Sequence, residues 1–523
     1  KAFDSISREL LLYKLSTLGI DGRFIKCLEH MYKNSKAKIK LIAKISDSFD
    51  ILAGTEQGHP MSPELFKTYI HELSERLNSV QDISSPLLNE TILTHLLWAD
   101  DLVLLALSKE SLQVMISELE SFCREWGLTV NTKKTAIMIF NKSGRQLKES
   151  YGFQYMGATI PSAKTYCYLG ITFSLSGSFK TALNLLRQKA LRAYFGLKSE
   201  VDLNNISKVA VLKLLDSLIL PVVSYGVEVW ISSSSGIKAF ASTTDNTKQS
   251  PLAGIAADPF ERMHLAILKW TLGVGKSTSN AAVWGDCGRT PIVVRYVKQV
   301  TDFHNRLARL ELEDSPALAR HAFVEQKKLD LGWFRALESM LMILDENKLE
   351  HQLYNPLLCQ ERAHNRFIKL WETERQSNKK LTFYNKVKGA FEQEPYLTLP
   401  SRTGSNLVAR IRMSGHKLNV ETGRYGSRTG SQHHRICEFC SEKSMMELFV
   451  NLPCVDPIIE DEEHFLRTCP RYHSSRTNMK EPTKSLLFHD MKSLFLPEHI
   501  VEFTKFVAQL CRTRFPIKKK HEH

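Results

Sequence analysis

The stretch that decides the fold is Leu93-Thr94-His95-Leu96-Leu97-Trp98-Ala99-Asp100-Asp101-Leu102-Val103-Leu104-Leu105-Ala106. Two apolar runs, Leu93 to Ala99 and Leu102 to Ala106, flank a pair of carboxylates. The pattern predicts a β-hairpin with Asp100 and Asp101 at its tip. Ionised carboxylates are costly to bury and want a cation or a donor. At the tip of a hairpin above a core sheet, two of them form a natural site for divalent metal. Phosphoryl transfer needs carboxylates holding two such ions roughly 3.5–4 Å apart, to clamp attacking and leaving oxygens. An Asp-Asp turn that merely faces water is the alternative.

Upstream, Gly54-Thr55-Glu56-Gln57-Gly58-His59-Pro60-Met61 is turn-rich and runs into Ser62-Pro63-Glu64. That triplet predicts a helix start, with a capping Ser, Pro in the first turn and Glu on the helix dipole. Gly58 permits a close backbone approach, and Gln57 can donate and accept hydrogen bonds there. Further upstream, Ser7 and Asp21 cap two expected helices, and residues 37–53 alternate as a β-pair. Downstream, a helix is expected from Ser111 to Trp126. Then come Gly127-Leu128-Thr129-Val130-Asn131-Thr132-Lys133-Lys134-Thr135, an expected strand Ala136 to Phe140, and the turn and strand Tyr168-Leu169-Gly170-Ile171-Thr172-Phe173.

From Phe179 the pattern turns helical, with Lys180, Arg187, Lys189 and Arg192 beside an apolar face that suits phosphate contacts or plain solvation. Residues 233–258 are Ser/Thr/Ala/Gly-rich and read as a flexible linker. Residues 401–435 are rich in Arg, Gly, Ser and His, Lys518-Lys519-Lys520 mark a basic tail, and no internal repeat is found.

The 523 residues make about three to four domains. Hydrophobic residues are 43% and charged residues 24%, which argues against a mostly disordered or fibrous chain. Net charge is +14, so a polyanion suits it, nucleic acid first and an anionic membrane second. No stretch reaches the roughly 18–20 apolar residues of a transmembrane helix. The most apolar segment, Leu214 to Ile231, is broken by Asp216, Pro221 and Glu228. The opening Lys-Ala-Phe-Asp has no signal-peptide pattern and no initiating Met, so the true N-terminus is expected upstream.

The 10 Cys are scattered and do not make a disulfide framework, except that Cys437, Cys440, Cys454 and Cys469 crowd together. Cys437-x₂-Cys440 and His464-x₄-Cys469 supply four ligands that suit tetrahedral structural Zn²⁺ in a reducing compartment. Cys454, His433 and His434 are competitors. Arg410, Arg412, His416, Lys417, Arg424, Arg428 and Arg435 form a basic approach to this segment.

Taken together, Gln57-Gly58-His59-Pro60-Met61-Ser62-Pro63, Trp98-Ala99-Asp100-Asp101, Asn131-Thr132-Lys133-Lys134-Thr135 and Tyr168-Leu169-Gly170-Ile171 resemble, in order, the motifs of the reverse transcriptase of non-LTR (LINE-type) retrotransposons. The resemblance implies an α+β fold: a partial right-hand polymerase palm at 1–175, a helical thumb and connection at 176–400, a basic segment with a CCHC zinc module at 401–480, and a helical basic tail at 481–523. It implies that Asp100 and Asp101 hold Mg²⁺. Gln57 and Gly58 would lie against template and incoming nucleotide, and Lys133 or Lys134 would act on the pyrophosphate. Phe3 matches the side chain that screens the sugar 2′-OH.

Lys1-Ala2-Phe3-Asp4 resembles the end of the family's first palm motif, whose metal-binding Asp stands three residues before the Lys. That position precedes residue 1. Asp4 matches a second Asp that is not the principal ligand, and takes the missing role only in a bolder alternative. Trp98 stands where the family usually has Tyr or Phe.

Pro221 to Trp230, Glu261 to Val274 and Ser279 to Gly285 also resemble the family, as packing elements. The implied reaction is RNA-directed DNA synthesis by two-metal nucleotidyl transfer. The implied partners are an RNA template, a DNA primer and dNTP, in the nucleus and cytoplasm, without a membrane. The fragment alone is expected to be inactive or nearly so. A catalytically dead remnant that still binds nucleic acid, and a decayed copy never made as a stable protein, are the alternatives.

Overall fold

A computed structural model describes residues 2–42, 44–56, 58–145, 151–242, 250–344, 353–400, 402–422, 435–440 and 458–515. It divides into two compact units. One is Lys1–Phe179 with Leu310–Leu329; the other is Lys180–Arg309 with Asp330–His523.

The first unit opens with α1 (Arg8–Thr17), capped by Ser7, whose hydroxyl accepts from Leu10 N at 3.3 Å. α2 (Gly22–Lys33) is capped by Asp21, which accepts from Arg23 N at 2.7 Å. A narrow ribbon follows: β1 (Lys36–Ala37) pairs with β4 (Phe49–Asp50), and β2 (Lys40–Leu41) with β3 (Lys44–Ile45), both antiparallel. Then come α3 (Ser62–Ser79), the hairpin β5 (His95–Trp98) and β6 (Asp101–Leu104), and α4 (Lys109–Glu125). The hairpin β7 (Thr165–Tyr168) and β8 (Ile171–Ser174) closes the run. The segment Leu310–Leu329 joins this unit, and Glu325 Oε2 accepts from Asn89 N at 2.6 Å.

The expected core sheet does not form. Every sheet among the described residues has two strands. The core is built by helices instead: Leu11 and Leu15 of α1, Phe66, Tyr69 and Leu73 of α3, and Met115 and Phe122 of α4. Leu97, Leu102 and Leu104 of the β5–β6 hairpin pack on it, so the strands spend their inner faces on helices rather than on one another. A buried charge lies inside this core. Lys14 Nζ donates to Tyr69 O (3.0 Å) and pairs with Glu72 (3.2 Å), 4.0 Å from the centre of the Trp126 ring. Burial lowers the Lys14 pKa.

Three local expectations need correction. Ser62 does not cap α3; Met61 is the cap residue, and Ser62 Oγ donates back to Glu56 O at 2.6 Å. α4 starts at Lys109 because Ser108 is its cap, accepting from Ser111 N at 3.1 Å. Residues 136–140 make only an isolated bridge, Ile137 with Ser162.

The second unit is helical. Its principal helices are α5 (Lys180–Glu200), α6 (Pro259–Leu272), α7 (Asn280–Cys287), α8 (Ile292–Leu312, of which residues to Arg309 belong to this unit), α9 (Pro356–Ser377), α10 (Arg402–Arg412) and α11 (Pro497–Arg514). The expected linker at 233–258 contains two helices, Ser235–Phe240 and Pro251–Ala257. Their spacing buries Ile237, Phe240, Leu252 and Ile255, which the small polar residues around them obscure. No single helix among the described residues is long and apolar enough to cross a membrane, although Lys208–Ser224 and Val227–Ser233, bent by 47°, pass that test together by length and composition alone.

Two buried carboxylates organise this unit. Glu261 accepts from Trp284 Nε1 (2.9 Å) and Ile292 N (2.7 Å) and pairs with His264 Nδ1 (3.1 Å), so the segments Glu261 to Val274 and Ser279 to Gly285 pack together. Asp286 accepts from Tyr396 OH (2.8 Å) and pairs with Arg412 Nε (3.1 Å). Arg412 also meets Glu394 at 2.8 Å, and Glu394 meets Lys388 at 2.6 Å.

Lys208 is buried, with Nζ donating to Asn406 Oδ1. Burial first, and then the charge of Arg402, lower its pKa from 10.5 to about 7. Between those values the unfolded chain binds one more proton than the native one, so stability rises with pH. From pH 7 to 9.5 the expected gain from this group is about 2–4 kcal/mol. Urea unfolding at both pH values checks it: Lys208→Met should lose that part of the rise, and an unchanged slope would refute the account.

Candidate catalytic turn and cysteine–histidine cluster

In the β5–β6 hairpin, Trp98 pairs with Asp101, so Ala99 and Asp100 form the connection. Ala99 is left-handed, with φ 49°. Asp100 and Asp101 are both exposed, and Trp98 is 66% exposed. No described residue donates to either carboxylate. Such a pair can accept a cation without first breaking a salt bridge.

The β7–β8 hairpin stands beside this turn. Its connection is Leu169 (φ 47°) and Gly170 (φ 82°), both left-handed, as tight two-residue hairpins require. Burial first, and then the negative charge of Asp101, raise the Tyr168 pKa, which sets Tyr168 near that carboxylate. Tyr166 OH donates to Lys134 O at 3.0 Å, tying the Lys133–Lys134 turn to the same hairpin. Asn131 O closes that turn by accepting from Lys134 N and Thr135 N, both at 3.0 Å. The side chains of Lys133 and Lys134 are exposed.

A second group gathers around Gly54. Phe3 is half-buried and stacks on Phe66 with centroids 4.6 Å apart. Asp4 is exposed on a single helical turn, Ala2–Ser5. Thr55 N donates to Phe3 O and Gly54 N to Ile6 O, both at 2.9 Å. Gly54 has φ 84°, and a Cβ there would lie 2.7 Å from Asp4 Cα. Arg8 clamps the assembly by donating to Tyr32 O (2.8 Å), Ile51 O (2.6 Å) and Gly54 O (3.0 Å). Gly58 has φ 91° and open space where a Cβ would stand. Gln57 lies outside the described residues.

In the second unit, ligand atoms of Cys437, Cys440, His464 and Cys469 all lie within 4.8 Å of one another, and the four residues are buried. Cys437 Sγ and Cys440 Sγ are each 3.9 Å from Cys469 Sγ, and Cys440 Sγ is 3.4 Å from His464 Nε2. The hydrogen bond from Cys469, and then one from His464, pull the Cys437 thiol well below its ordinary range against burial. His464 is held from behind, with Nδ1 3.0 Å from Thr468 Oγ1 and its backbone N donating to Asp461 at 2.7 Å. The competitors Cys454, His433 and His434, with Arg424 and Arg428, lie outside the described residues.

Residues 1–173 match the family model described as reverse transcriptase (RNA-dependent DNA polymerase). A Pol polyprotein from the type-1 retrotransposable element R2 of Popillia japonica is 31% identical over 193 residues, 36% of this chain and 32% of that protein. The corresponding polyprotein from the type-2 element R2DM of Drosophila melanogaster is 30% identical over 183 residues, 34% of this chain and 17% of that protein. Residues 1–173 are a reverse-transcriptase region like that of non-LTR retrotransposon Pol polyproteins. A putative transposon-derived protein of Caenorhabditis elegans is 32% identical over 138 residues, 26% of this chain and 49% of that protein. The chain thus spans half or less of the length of these curated relatives.

Within the reverse-transcriptase domain, the Asp100–Asp101 turn and Phe3 rest on one helical core, since Leu97, Leu102 and Phe3 all pack against it. The motif residues did not disclose Arg8, nor the carboxylate and hydroxyl, Asp461 and Thr468, that hold His464. The spacing of these two around His464 was their only signal. Gly54→Ala meets both a left-handed backbone and a wall; Gly58→Ala meets only the backbone term. The first should lower stability by about 2–4 kcal/mol and the second by about 1 kcal/mol, measured by chemical unfolding. Equal losses would refute the close-approach argument.

Proposed function

We propose that the chain acts in RNA-directed DNA synthesis by two-metal nucleotidyl transfer, with an RNA template, a DNA primer and dNTP as partners, inside the cell in nucleus and cytoplasm. The observation that carries this is the exposed Asp100–Asp101 pair at a hairpin tip, without an ion-pair partner among the described residues, within the region that matches reverse transcriptase. In this reading Asp100 and Asp101 hold Mg²⁺. Bound Mg²⁺ would neutralise phosphate charge and make the primer 3′-OH a better nucleophile. By the family resemblance Gln57 and Gly58 would meet template and incoming nucleotide, and the open space at Gly58 leaves room for that approach. Phe3, braced by Phe66, screens the sugar 2′-OH. The exposed Lys133 and Lys134 stabilise the departing pyrophosphate.

The test is Mg²⁺-dependent dNTP incorporation on an RNA template. It compares this chain with a version that restores the upstream sequence through the fingers and the Asp expected three places before Lys1. Synthesis is expected in the extended version and little or none in this chain. Asp101→Asn should cut it on the order of 100-fold or more. Unchanged synthesis in that variant would overturn the assignment. Asp4→Ala decides whether Asp4 takes any metal-binding part. A second reading, a remnant that binds nucleic acid without catalysis, is favoured by the net charge of +14. Steeply salt-dependent binding with no synthesis in either version selects it.

Cys437, Cys440, His464 and Cys469 would hold one structural Zn²⁺. Tetrahedral Zn–S bonds of about 2.3 Å put sulfurs about 3.8 Å apart, close to the 3.9 Å separations here. With four protein ligands no position is open, so the ion would brace the fold rather than catalyse. Metal analysis should give one zinc per chain, reduced by Cys437→Ser. Zinc content unchanged in that variant would reject the site.

A further inference from the structure

We propose that the β1–β4 ribbon is a nucleic-acid arm, which grips phosphates with lysines and presses an aliphatic wedge, Ile42, against a base step. The inference rests on the nucleic-acid reading above and adds a surface to it.

The ribbon has no core beneath it, for every described residue from Ile39 to Asp50 is exposed. It is nevertheless continuous. Ile39 and Ser46 join its two halves, with Ser46 N donating to Ile39 O and Ile39 N to Ser46 Oγ, both at 2.9 Å. Ala37 faces Phe49, so Lys38 stands opposite two residues, Asp47 and Ser48. One extra residue on one strand is a β-bulge, which bends a ribbon and increases its twist. At its base the ribbon is fixed. Ile51 N donates to Ser35 O at 3.0 Å, and Arg8 holds Ile51 O.

An isolated two-stranded ribbon is marginal in water, and exposed aliphatic side chains along it call for a partner. Leu41, Ile42 and Ile45 stand at its end, each at least 65% exposed, with Leu41 beside Lys44 on one face and Ile45 beside Lys40 on the other. Ile42 is fully exposed and left-handed, with φ 43°. That conformation is an outlier for a β-branched residue. Lys40 and Lys44 flank the tip and Lys38 follows along one strand, so the apolar end is ringed by positive charge.

A polyanion with an apolar interior fits this arrangement. Two-stranded ribbons enter nucleic-acid grooves, and Ile or Leu side chains serve as wedges that partly unstack base steps. The charge complementarity and the rigid tie to the loop before Gly58 select a template–primer duplex over an unrelated protein.

The test uses the full chain and an RNA–DNA hybrid, with affinity measured from about 50 to 300 mM salt. A second hybrid set carries 2-aminopurine at successive steps, and its fluorescence rises where a step is unstacked. The combined Lys38→Gln, Lys40→Gln, Lys44→Gln variant should reduce the slope of log affinity against log salt by about 2–3. Ile42→Ser should keep the slope and lose the 2-aminopurine signal. Thermal melts of both variants should match the parent, since the residues are exposed.

A steep parental slope that survives the lysine changes would overturn the ribbon proposal and leave the polymerase reading standing. A parental chain that gives no 2-aminopurine rise at any step would remove the wedge. A parental chain without salt-dependent binding would overturn both readings. Ribbon-dependent binding to phosphatidylserine vesicles, with none to the hybrid, would reassign the arm to a membrane surface.

Discussion

A single guanidinium sets the geometry on which the reverse-transcriptase domain depends. Arg8 satisfies the carbonyls of Tyr32, Ile51 and Gly54, which end a helix, a ribbon and a turn respectively. Buried carbonyls without a partner are costly, and one fixed planar donor can satisfy three only if they converge. The Arg8 guanidinium also lies 4.6 Å from the centre of the Tyr32 ring, which limits its own freedom. The helix that carries Arg8 therefore decides where the ribbon leaves the unit and where the loop toward Gly58 begins. Gly54 completes the arrangement, because only a residue without Cβ fits against Phe3 and Asp4 there.

Charge is handled in two opposite ways in this chain. Asp100 and Asp101 stay in solvent on a turn, where a carboxylate can exchange partners freely. Glu261, Asp286 and Glu394 are buried, and each is surrounded by donors. Burial raises the Glu394 pKa most, with the Arg412 charge opposing it. The exposed pair suits a site that must bind and release; the buried set suits a joint that must not move. Buried ion pairs seldom add net stability over apolar packing, but losing one partner is severe.

The Asp hairpin was legible in the sequence because two apolar runs flanked a polar break, a signal that needs no tertiary knowledge, although its connection is Ala99-Asp100 and Asp101 already belongs to β6. Ser7 and Asp21 were legible for the same reason, since caps are local. Ser62 was misread because its hydroxyl had a competing use, the carbonyl of Glu56, six residues back. The helices within 233–258 were hidden by small polar residues around few apolar anchors. The core sheet expected beneath Asp100 failed because the hairpin faces turned to helices, a choice of partner that alternation cannot reveal. Asp286 and Arg412 are 126 residues apart, and no periodicity connects them. The Cys/His quartet could be read from spacing alone, whereas its supports, Asp461 and Thr468, became evident only once His464 had an orientation.

The Asp286–Arg412 joint also constrains the order of events during translation. The acid is made first, and its base emerges 126 residues later. At about 5–20 residues per second, the nascent chain carries Asp286 without Arg412 for roughly 6–25 s. Over that interval α7 cannot close into its final surroundings without stranding a carboxylate in an apolar interior. The C-terminal unit therefore completes late and as a whole. A chain that stops short of Arg412 lacks its central joint and is suited to proteolysis rather than to service as a smaller working protein.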